Sequence, residues 1–206
     1  MTSERPGAPG AMLVIISGPS GVGKDTVISA LRDRPHTPEY HYVVTCTTRP
    51  RRSYEVDGVH YQFLDRERFE QLDASGEFLE ANFVHANWYG TPRSQVRGAL
   101  GAGRDAILKI DVQGAQVVKE KVPDALLIFL VPPSLQDLFI RLRSRATETA
   151  DELDVRQRNA AVELARQDDY DYVVVNETNE VEAVAARIDE IIAEERRLHP
   201  NRIVRI

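Results

Sequence analysis

Cysteine is almost missing from this chain. Cys46 is the one cysteine among 206 residues, so the chain can form neither an internal disulfide nor a zinc site made of cysteines. Histidine is scarce as well, and its spacing matches no metal site, so we interpret the histidines as structural or surface residues. They are His36, His41, His60, His85 and His199.

A surplus of positive charge is also absent. The chain has 26 Lys and Arg against 32 Asp and Glu, a formal net charge of −6, which argues against a nucleic-acid partner. An anionic ligand would have to be met by local clusters of Arg. No signal peptide and no apolar run of membrane-spanning length is found, so we expect a cytoplasmic protein that binds no membrane. The choice between monomer and homodimer stays open.

Short apolar runs that alternate with helical segments are what the sequence does contain. The predicted core strands are residues 12–17, 42–45, 106–110, 126–131 and 172–175, and the predicted core helices are 26–32, 113–121, 135–145 and 181–198. This alternation predicts an α/β fold with a doubly wound, mostly parallel sheet. Ligands of such sheets bind beyond the carboxyl ends of the strands.

Three segments depart from this pattern. Residues 1–11 are polar and rich in Gly and Pro, which predicts a flexible leader before a domain over 12–206. Residues 46–91 contain short strand-like stretches and one helix, near 66–74, which predicts a small β-rich lobe inserted into the core. Residues 146–168 are highly charged and helical in pattern, which suits a mobile lid. The core would then comprise 12–45, 92–145 and 169–206.

The stretch GPSGVGKDT, residues 18–26, follows an apolar strand and precedes a helix. Its glycines let the backbone aim several N–H groups at one point, and Lys24 adds a mobile charge for the outer phosphates of a nucleotide. The pattern and its context predict a phosphate-binding loop. The alternative is a Gly-rich turn with a surface Lys. Asp25 stands where such loops usually carry Ser or Thr, and its carboxylate can hold Mg²⁺ directly or through water.

A second candidate anion site lies in VTCTTRPRR, residues 44–52, which follows another core strand. It holds Arg49, Arg51 and Arg52 in one loop. The planar guanidinium group suits a phosphate because it donates two parallel hydrogen bonds. The alternative is a solvated basic loop, but the position after a core strand of an acidic protein favours phosphate binding.

Further blocks, taken with these two, resemble one family in order and spacing. GPSGVGK, TTRPRR followed by EVDGVHY, GEFLE, WYGT, IDVQGA and RATET are together similar to guanylate kinase, a family of P-loop nucleoside monophosphate kinases. The resemblance implies an inserted lobe that binds the monophosphate, a helical lid, and transfer of the ATP γ-phosphoryl group to GMP with Mg²⁺, in purine nucleotide metabolism. GMP and dGMP are both open as acceptors.

The resemblance also implies residue roles. In the ATP site it places Gly18, Pro19, Ser20, Gly21, Val22, Gly23, Lys24, Asp25, Thr26 and Asn176. In the GMP site it places Arg49, Arg52, Tyr61 and Tyr89 on the phosphate, and Thr45, Glu80, Thr91 and Asp111 on the base. It makes Lys24, Arg141, Arg145 and Arg156 catalytic. The chemistry of its carboxylate, and not the resemblance, makes Asp25 the candidate metal-binding residue, directly or through water.

The implied roles agree with the chemistry of the groups. A carboxylate at Glu80 can accept from both N1–H and the 2-amino group of guanine, whereas adenine offers an acceptor at N1 and would leave it partly unpaired. The hydroxyls of Thr45 and Thr91, where the family more often has Ser, can donate to guanine O6. Taken without the family, Glu80 would be interpreted as a solvent-facing strand residue.

Three departures from the family pattern stand out. Asp25 replaces the usual hydroxyl residue, Lys109 replaces a common acidic residue, and Ala146 replaces a Gly that would ease lid motion. Because alternate residues of a strand share a side, Lys109 and Asp111 are expected to point the same way, toward the nucleotides. We hypothesise that Asp25 and Lys109 compensate each other as an ion pair.

Two other functions stay open at this point. Some scaffold proteins carry a guanylate-kinase-like domain that binds peptides and has lost its phosphate loop, but this chain keeps Lys24 and its glycines. A kinase with another phosphorylated acceptor is the nearer alternative, and the set of Glu80, Thr45, Thr91 and Asp111 argues against it.

Overall fold

The computed structural model describes residues 7–8, 10–36, 38–84, 86–143 and 150–206, the side chains of 150–154 excepted. In chain order the strands are β1 Leu13–Ser17, β2 His41–Tyr42, β3 Cys46–Thr47, β4 Gln62–Phe63, β5 Phe78–Val84, β6 Asn87–Pro92, β7 Ala106–Lys109, β8 Leu126–Val131 and β9 Tyr172–Val175. The helices are α1 Lys24–Arg32, α2 Arg66–Ala74, α3 Arg93–Gly101, α4 Val112–Lys121, α5 Leu135–Arg143, α6 Ala150–Leu164 and α7 Val181–Leu198, and a single 3₁₀ turn spans Gln167–Asp169.

The core is a parallel five-stranded sheet in the order β2-β7-β1-β8-β9. Alternate residues of β1 enter different hydrophobic layers, as the pleat of a strand requires. Val14 and Ile16 pack in the layer that contains α1, α5 and α7, and Leu13 and Ile15 pack in the layer that contains α3 and α4. Helices therefore cover both faces, which confirms the predicted α/β class with a doubly wound parallel sheet.

A second, mixed sheet of four strands has the order β4-β3-β6-β5. It lies in the segment predicted to be a β-rich lobe, and α2 occupies the residues predicted for its helix. Phe69 of α2, Phe78 and Cys46 form its own small buried cluster. The division of the chain into core, lobe and lid stays a prediction.

The predicted strand over 42–45 differs from what is observed. Only Tyr42 of that range is in a core strand, β2, and the lobe strand β3 begins at Cys46. Between them the chain passes from one sheet to the other, and the side-chain amide of Gln95 takes the place of a neighbouring strand. It accepts from the backbone N–H of Val44 and donates to the carbonyl of Val44, both at 2.9 Å.

The other differences are smaller. Helix α3 was not predicted, and residues 144–145 of the predicted helix 135–145 lie outside the described part. Part of the segment expected to be a flexible leader is bonded to the rest of the domain. Gly7, Ala8 and Gly10 donate backbone hydrogen bonds of 2.9 to 3.0 Å to carbonyls of residues 204, 100 and 202. No helix in the described ranges is both long and apolar enough to cross a membrane.

Candidate active site

A cavity of about 740 Å³ lies between the loop after β1, the carboxyl end of β7 and the four-stranded sheet. Most of the side chains predicted for substrate binding line it together. From the phosphate loop and α1 these are Ser20, Gly21, Gly23, Lys24 and Asp25; from the acceptor side they are Thr45, Arg49, Arg52, Tyr61, Glu80, Tyr89 and Asp111; from α6 it is Arg156. The prediction that these residues share one site therefore agrees with the geometry, while their binding roles stay predictions.

The phosphate loop needs glycine at defined points. Gly23 has φ +100°, and a Cβ there would lie 2.6 Å from the amide nitrogen of Asn176. Gly18 has φ +143°, and a Cβ there would lie 2.4 Å from the backbone oxygen of Leu130. Asn176 is buried and donates to the carbonyl of Val22 at 2.7 Å, so it supports the loop from behind. It does not line the cavity.

Lys24 curls back over the loop. Its ammonium donates to the carbonyls of Gly18 and Pro19 at 2.6 and 3.1 Å. Burial lowers the pKa of Lys24, and the carboxylates of Glu163 and Asp111 oppose this shift. A partly buried ammonium that bonds to two carbonyls can still donate to an incoming anion, since an ammonium has three N–H groups.

Asp25 and Lys109 form an ion pair inside the cavity. The ammonium of Lys109 donates to Oδ1 of Asp25, which joins the end of β7 to the first turn of α1. The two departures from the family pattern therefore form the ion pair of the hypothesis, and their mutual compensation stays a prediction. Lys109 also points toward the site as expected, and its ammonium lies 4.7 Å from the ring centroid of Tyr61.

On the acceptor side, Arg49 is fixed in advance by Glu55. Its two terminal nitrogens donate to the two carboxylate oxygens at 2.7 and 3.1 Å. Burial acts to raise the pKa of Glu55, but the hydrogen bonds from the Arg49 side chain and the Arg52 backbone N–H, together with the charges of both arginines, outweigh it, so the pKa is lowered. The guanidinium carbon of Arg49 lies 5.5 Å from the ring centroid of Tyr61, whose ring lies 6.1 Å from that of Tyr89. Arg52 reaches the same cavity and donates to the hydroxyl of Tyr54.

Glu80 is buried, with 3% of its surface exposed, so it is not a solvent-facing strand residue. The Thr91 hydroxyl donates to Oε1 and the Asn82 amide donates to Oε2, each at 2.6 Å. Each carboxylate oxygen carries two lone pairs, so each can accept one more hydrogen bond. Burial raises the pKa of Glu80 to about 7, against the hydrogen bond from Thr91.

The remaining residues predicted for the base site have different positions. Thr45 is buried and lines the cavity, whereas Thr91 does not line it and uses its one hydroxyl proton on Glu80. Asp111 begins α4 by accepting from the backbone N–H of Gly114 at 2.9 Å. Gly114 lets α4 approach Glu80, because a Cβ there would lie 3.3 Å from Oε2.

The arginines predicted to reach ATP are placed differently from one another. Arg156 of α6 lines the cavity and donates to the hydroxyl of Ser20 at 2.9 Å. Arg141 of α5 does not line it and donates to the carbonyls of Val22 and Asn176 at 3.2 and 3.1 Å, so it braces the loop. Arg145 and Ala146 lie outside the described residues.

Several residues of the site were missed by sequence reasoning. Glu55 fixes Arg49, Asn82 holds Glu80, and Glu163 of α6 accepts from the backbone N–H of Ser20 at 3.0 Å. Asn82 follows Glu80 by two residues on β5, so the shared side of a strand was an available signal. Glu163 lies 143 residues from Ser20, and no local pattern connects them.

The fold and the site define a class of protein. A glycine-rich phosphate loop between a core strand and a helix faces a second cluster of cations across one cavity, which is the arrangement of a P-loop kinase for a small phosphorylated acceptor.

Comparisons with known proteins narrow this class. A family model described as guanylate kinase matches residues 10–195. A guanylate kinase of Carboxydothermus hydrogenoformans is 44% identical over 178 residues, 84% of this chain and 86% of that protein. A guanylate kinase of Chelativorans is 41% identical over 192 residues, 93% of this chain and 86% of that protein. The crystal structure of guanylate kinase from Anaplasma phagocytophilum has a TM-score of 0.71 and 32% identity, covering 90% of this chain and 86% of its own. The chain belongs to the guanylate kinase family and is a nucleoside monophosphate kinase.

Proposed function

We propose that this protein transfers the γ-phosphoryl group of ATP to GMP, giving ADP and GDP, with Mg²⁺, as a step of purine nucleotide metabolism. The observation that carries the choice of guanine is the buried carboxylate of Glu80 at the cavity wall, with one accepting position left on each oxygen. N1–H and the 2-amino group of guanine are two neighbouring donors that match it.

The acceptor phosphate would bind between Arg49, Arg52, Tyr61 and Tyr89. These side chains line the same cavity as Glu80 and supply guanidinium and phenol donors, which suit a dianionic phosphate. Thr91 acts through Glu80, because its hydroxyl is already donated to that carboxylate. Thr45 remains as a hydroxyl that can donate to guanine O6.

The donor phosphates would bind at the loop from Gly18 to Thr26 and the start of α1. Backbone N–H groups and the helix terminus attract phosphate oxygens there. Lys24 would exchange its two carbonyl partners for phosphate oxygens, and Arg156 is placed beside Ser20 at the same loop. Arg141 would keep the loop in shape through Val22 and Asn176.

The residues present fit Mg²⁺ held mainly by phosphate oxygens and water. Among the described residues no group of three or more His, Cys, Asp or Glu is arranged to hold a metal. Kinase sites seldom need such a cage, because Mg²⁺ is usually bound by one or two carboxylates together with substrate phosphates. Asp25 would be that carboxylate, through water, since Lys109 already takes Oδ1. When bound, Mg²⁺ would supply positive charge that offsets the negative charge of the ATP phosphates.

Transfer needs no protein nucleophile. An oxygen of the GMP phosphate attacks the γ-phosphorus in line, the new P–O bond forms, and the bond to the bridging oxygen of ADP breaks with its electron pair leaving on ADP. The protein positions the two anions and offsets their charge. Burial of Lys24 strengthens its interaction with phosphate, because charges interact more strongly away from water.

The test is an assay of ADP release from ATP and Mg²⁺ with GMP, dGMP, AMP, CMP and UMP as acceptors. We expect turnover with guanine nucleotides. Glu80→Gln should lower kcat/KM for GMP by about 10²-fold, because a buried charged hydrogen bond is worth about 1.5–3 kcal/mol. Glu77→Gln is the matched control, since Glu77 is an exposed residue just before the same strand.

Either of two results would contradict the proposal. Turnover with another acceptor would leave a kinase whose base site has been wrongly identified. No turnover with any of the five acceptors, from a folded protein that binds ATP, would remove the phosphotransferase function.

A further inference from the structure

The charge pattern at the centre of the cavity is unusual for a phosphate loop. The position after Lys24, where such loops usually carry a hydroxyl, holds a carboxylate. Lys109, at the carboxyl end of β7, provides a second ammonium in the cavity. This ammonium donates a hydrogen bond to the carboxylate, which belongs to Asp25. The pair therefore adds the Lys109 ammonium to the cavity beside Lys24, together with the Asp25 carboxylate that holds this ammonium in place.

Lys109 lies between the two phosphate sites. On one side, Asp25 is in the first turn of α1, adjacent to Lys24 of the donor loop. On the other side is Tyr61, whose ring centroid lies 4.7 Å from the Lys109 ammonium and 5.5 Å from the guanidinium carbon of Arg49. The ring of Tyr61 thus lies next to Arg49, which is proposed to bind the acceptor phosphate, and next to the Lys109 ammonium, which bonds to Asp25 in the first turn of α1.

Because Asp25 is exposed, the ion pair is expected to contribute little to the stability of the folded protein. The Asp25 side chain is 66% exposed and that of Lys109 is 18% exposed. An exposed carboxylate needs no partner to avoid a burial penalty, and ion pairs near the surface stabilise proteins by about 0–1 kcal/mol. The group that gains from the pair is Lys109, whose ammonium is drawn into a cavity and needs a partner to be held in one place.

The ammonium of Lys109 lines the cavity between the two proposed phosphate sites. It therefore faces two polyanions when both nucleotides are bound.

We propose that Lys109 is a catalytic residue of this kinase, whose ammonium contacts the acceptor phosphate and the phosphoryl group in transfer, and that Asp25 is its positioning residue. The proposal rests on the phosphotransferase function proposed above. No bond to Lys109 forms or breaks and it keeps its protons. Its charge reduces the repulsion between the attacking phosphate oxygen and the γ-phosphoryl group as they approach.

The experiment compares Lys109→Met, Lys109→Arg, Asp25→Asn and the double variant Asp25→Asn/Lys109→Met with the unmodified protein. Lys119→Met is the control, because Lys119 bonds to Ala125 and Asp171 outside the cavity. Calorimetry gives the affinities for GMP and for guanosine without ATP or Mg²⁺, and steady-state kinetics give kcat and KM. Circular dichroism and thermal unfolding check the fold of each variant.

We expect Lys109→Met to weaken GMP binding by about tenfold, the equivalent of one charged hydrogen bond, and to leave guanosine binding unchanged. Its kcat should fall by about 10²-fold, the usual effect of removing one charge-stabilising donor. Relative to Lys109→Met, the Lys109→Arg variant should recover part of the GMP affinity and part of kcat. Asp25→Asn should cause a smaller loss, and the double variant should resemble Lys109→Met, since residues that act as a unit are not additive.

Three results would overturn the proposal. One is an equal loss of GMP and guanosine affinity in Lys109→Met, which would make the pair a structural element. Another is a kcat that matches the unmodified protein. The third is additive losses of GMP affinity, measured without Mg²⁺, in the double variant, which would separate Asp25 from Lys109.

Failure of the underlying function has a different signature. If the unmodified protein turns over no acceptor, the proposed function fails and the role of Lys109 falls with it. If it turns over GMP and Lys109→Met does so equally well, only the role of Lys109 fails. Should Lys109→Met not fold, Lys109→Arg and Asp25→Asn carry the test through the same ratio of GMP to guanosine affinity.

Discussion

The donor half and the acceptor half of the cavity are built from different kinds of binding group. On the donor side, the loop after β1 offers mainly backbone N–H groups, set by glycines with positive φ at Gly18, Gly21 and Gly23. On the acceptor side, side chains from separate segments converge, and each is held by another side chain: Arg49 by Glu55, and Glu80 by Thr91 and Asn82.

The difference corresponds to the task proposed for each half. Backbone groups carry no information about the ligand beyond its phosphates, so the donor half suits any nucleoside triphosphate. Side chains can match individual atoms of a base, and a match is only selective if they are fixed before binding. The acceptor half is therefore the part of the site where selectivity is expected to lie.

The largest expected effect follows from removing the mobile charge of the donor half. Lys24→Met should lower kcat on the order of 10²–10³-fold, because it removes one cation from the group in transfer. GMP affinity should change little, since the acceptor half is built from other residues. Steady-state kinetics and GMP calorimetry check this, with Lys119→Met as the control. A loss of GMP affinity as large as the loss of kcat would mean that the halves are not separate.

A smaller effect is expected from loosening the acceptor half. Arg49→Lys keeps the charge but loses the paired contact with both oxygens of Glu55, so it should raise KM for GMP on the order of tenfold. KM for ATP should stay the same. Arg66→Lys is the matched control, because Arg66 is 77% exposed on α2 in the same segment and pairs with Glu70 on the surface. An equal rise of both KM values would contradict the assignment of Arg49 to the acceptor half.

The two halves of the site also differ in how well they could be predicted from the sequence. The donor loop could be predicted because it is contiguous and its glycines and Lys24 lie at fixed spacing after an apolar run. In the acceptor half, the loop with Arg49 and Arg52 could be predicted from its position after a core strand, but the base-site residues were predicted only through family resemblance. Glu80 and Thr91 are 11 residues apart on β5 and β6, and nothing local indicates that one donates to the other.

The misses have physical causes. Helix α3 contains two glycines, Gly98 and Gly101, which lower helix propensity, although the spacing of its buried Val96, Ala99 and Leu100 is helical. The strand predicted over 42–45 ends early because the side chain of Gln95, 51 residues away, supplies the hydrogen bonds that a strand would have made. The second outcome depends on a tertiary contact that a local pattern does not contain.

The smallest expected effect concerns the protonation of the acceptor half. Burial raises the pKa of Glu80 to about 7, and only the ionised carboxylate can accept from both guanine donors. The ionised fraction then rises about threefold between pH 6.5 and 7.5, and kcat/KM for GMP should rise by a similar factor. The phosphate of GMP titrates at nearby pH, so the quantity to compare is the ratio of the unmodified protein to Glu80→Gln, in which that titration cancels.

The same shift has a consequence for stability that needs no substrate. A pKa raised in the folded state means that the folded protein binds more protons than the unfolded chain between the unfolded value near 4.5 and the folded value near 7. The stability contributed by Glu80 is therefore full below pH 4.5 and is lost as pH rises through 7. Glu80→Gln should gain stability relative to the unmodified protein from pH 5 to pH 8 in urea unfolding. A difference that does not change with pH would show that Glu80 is already ionised at pH 5, and the carboxylate would then be ready for guanine throughout the physiological range.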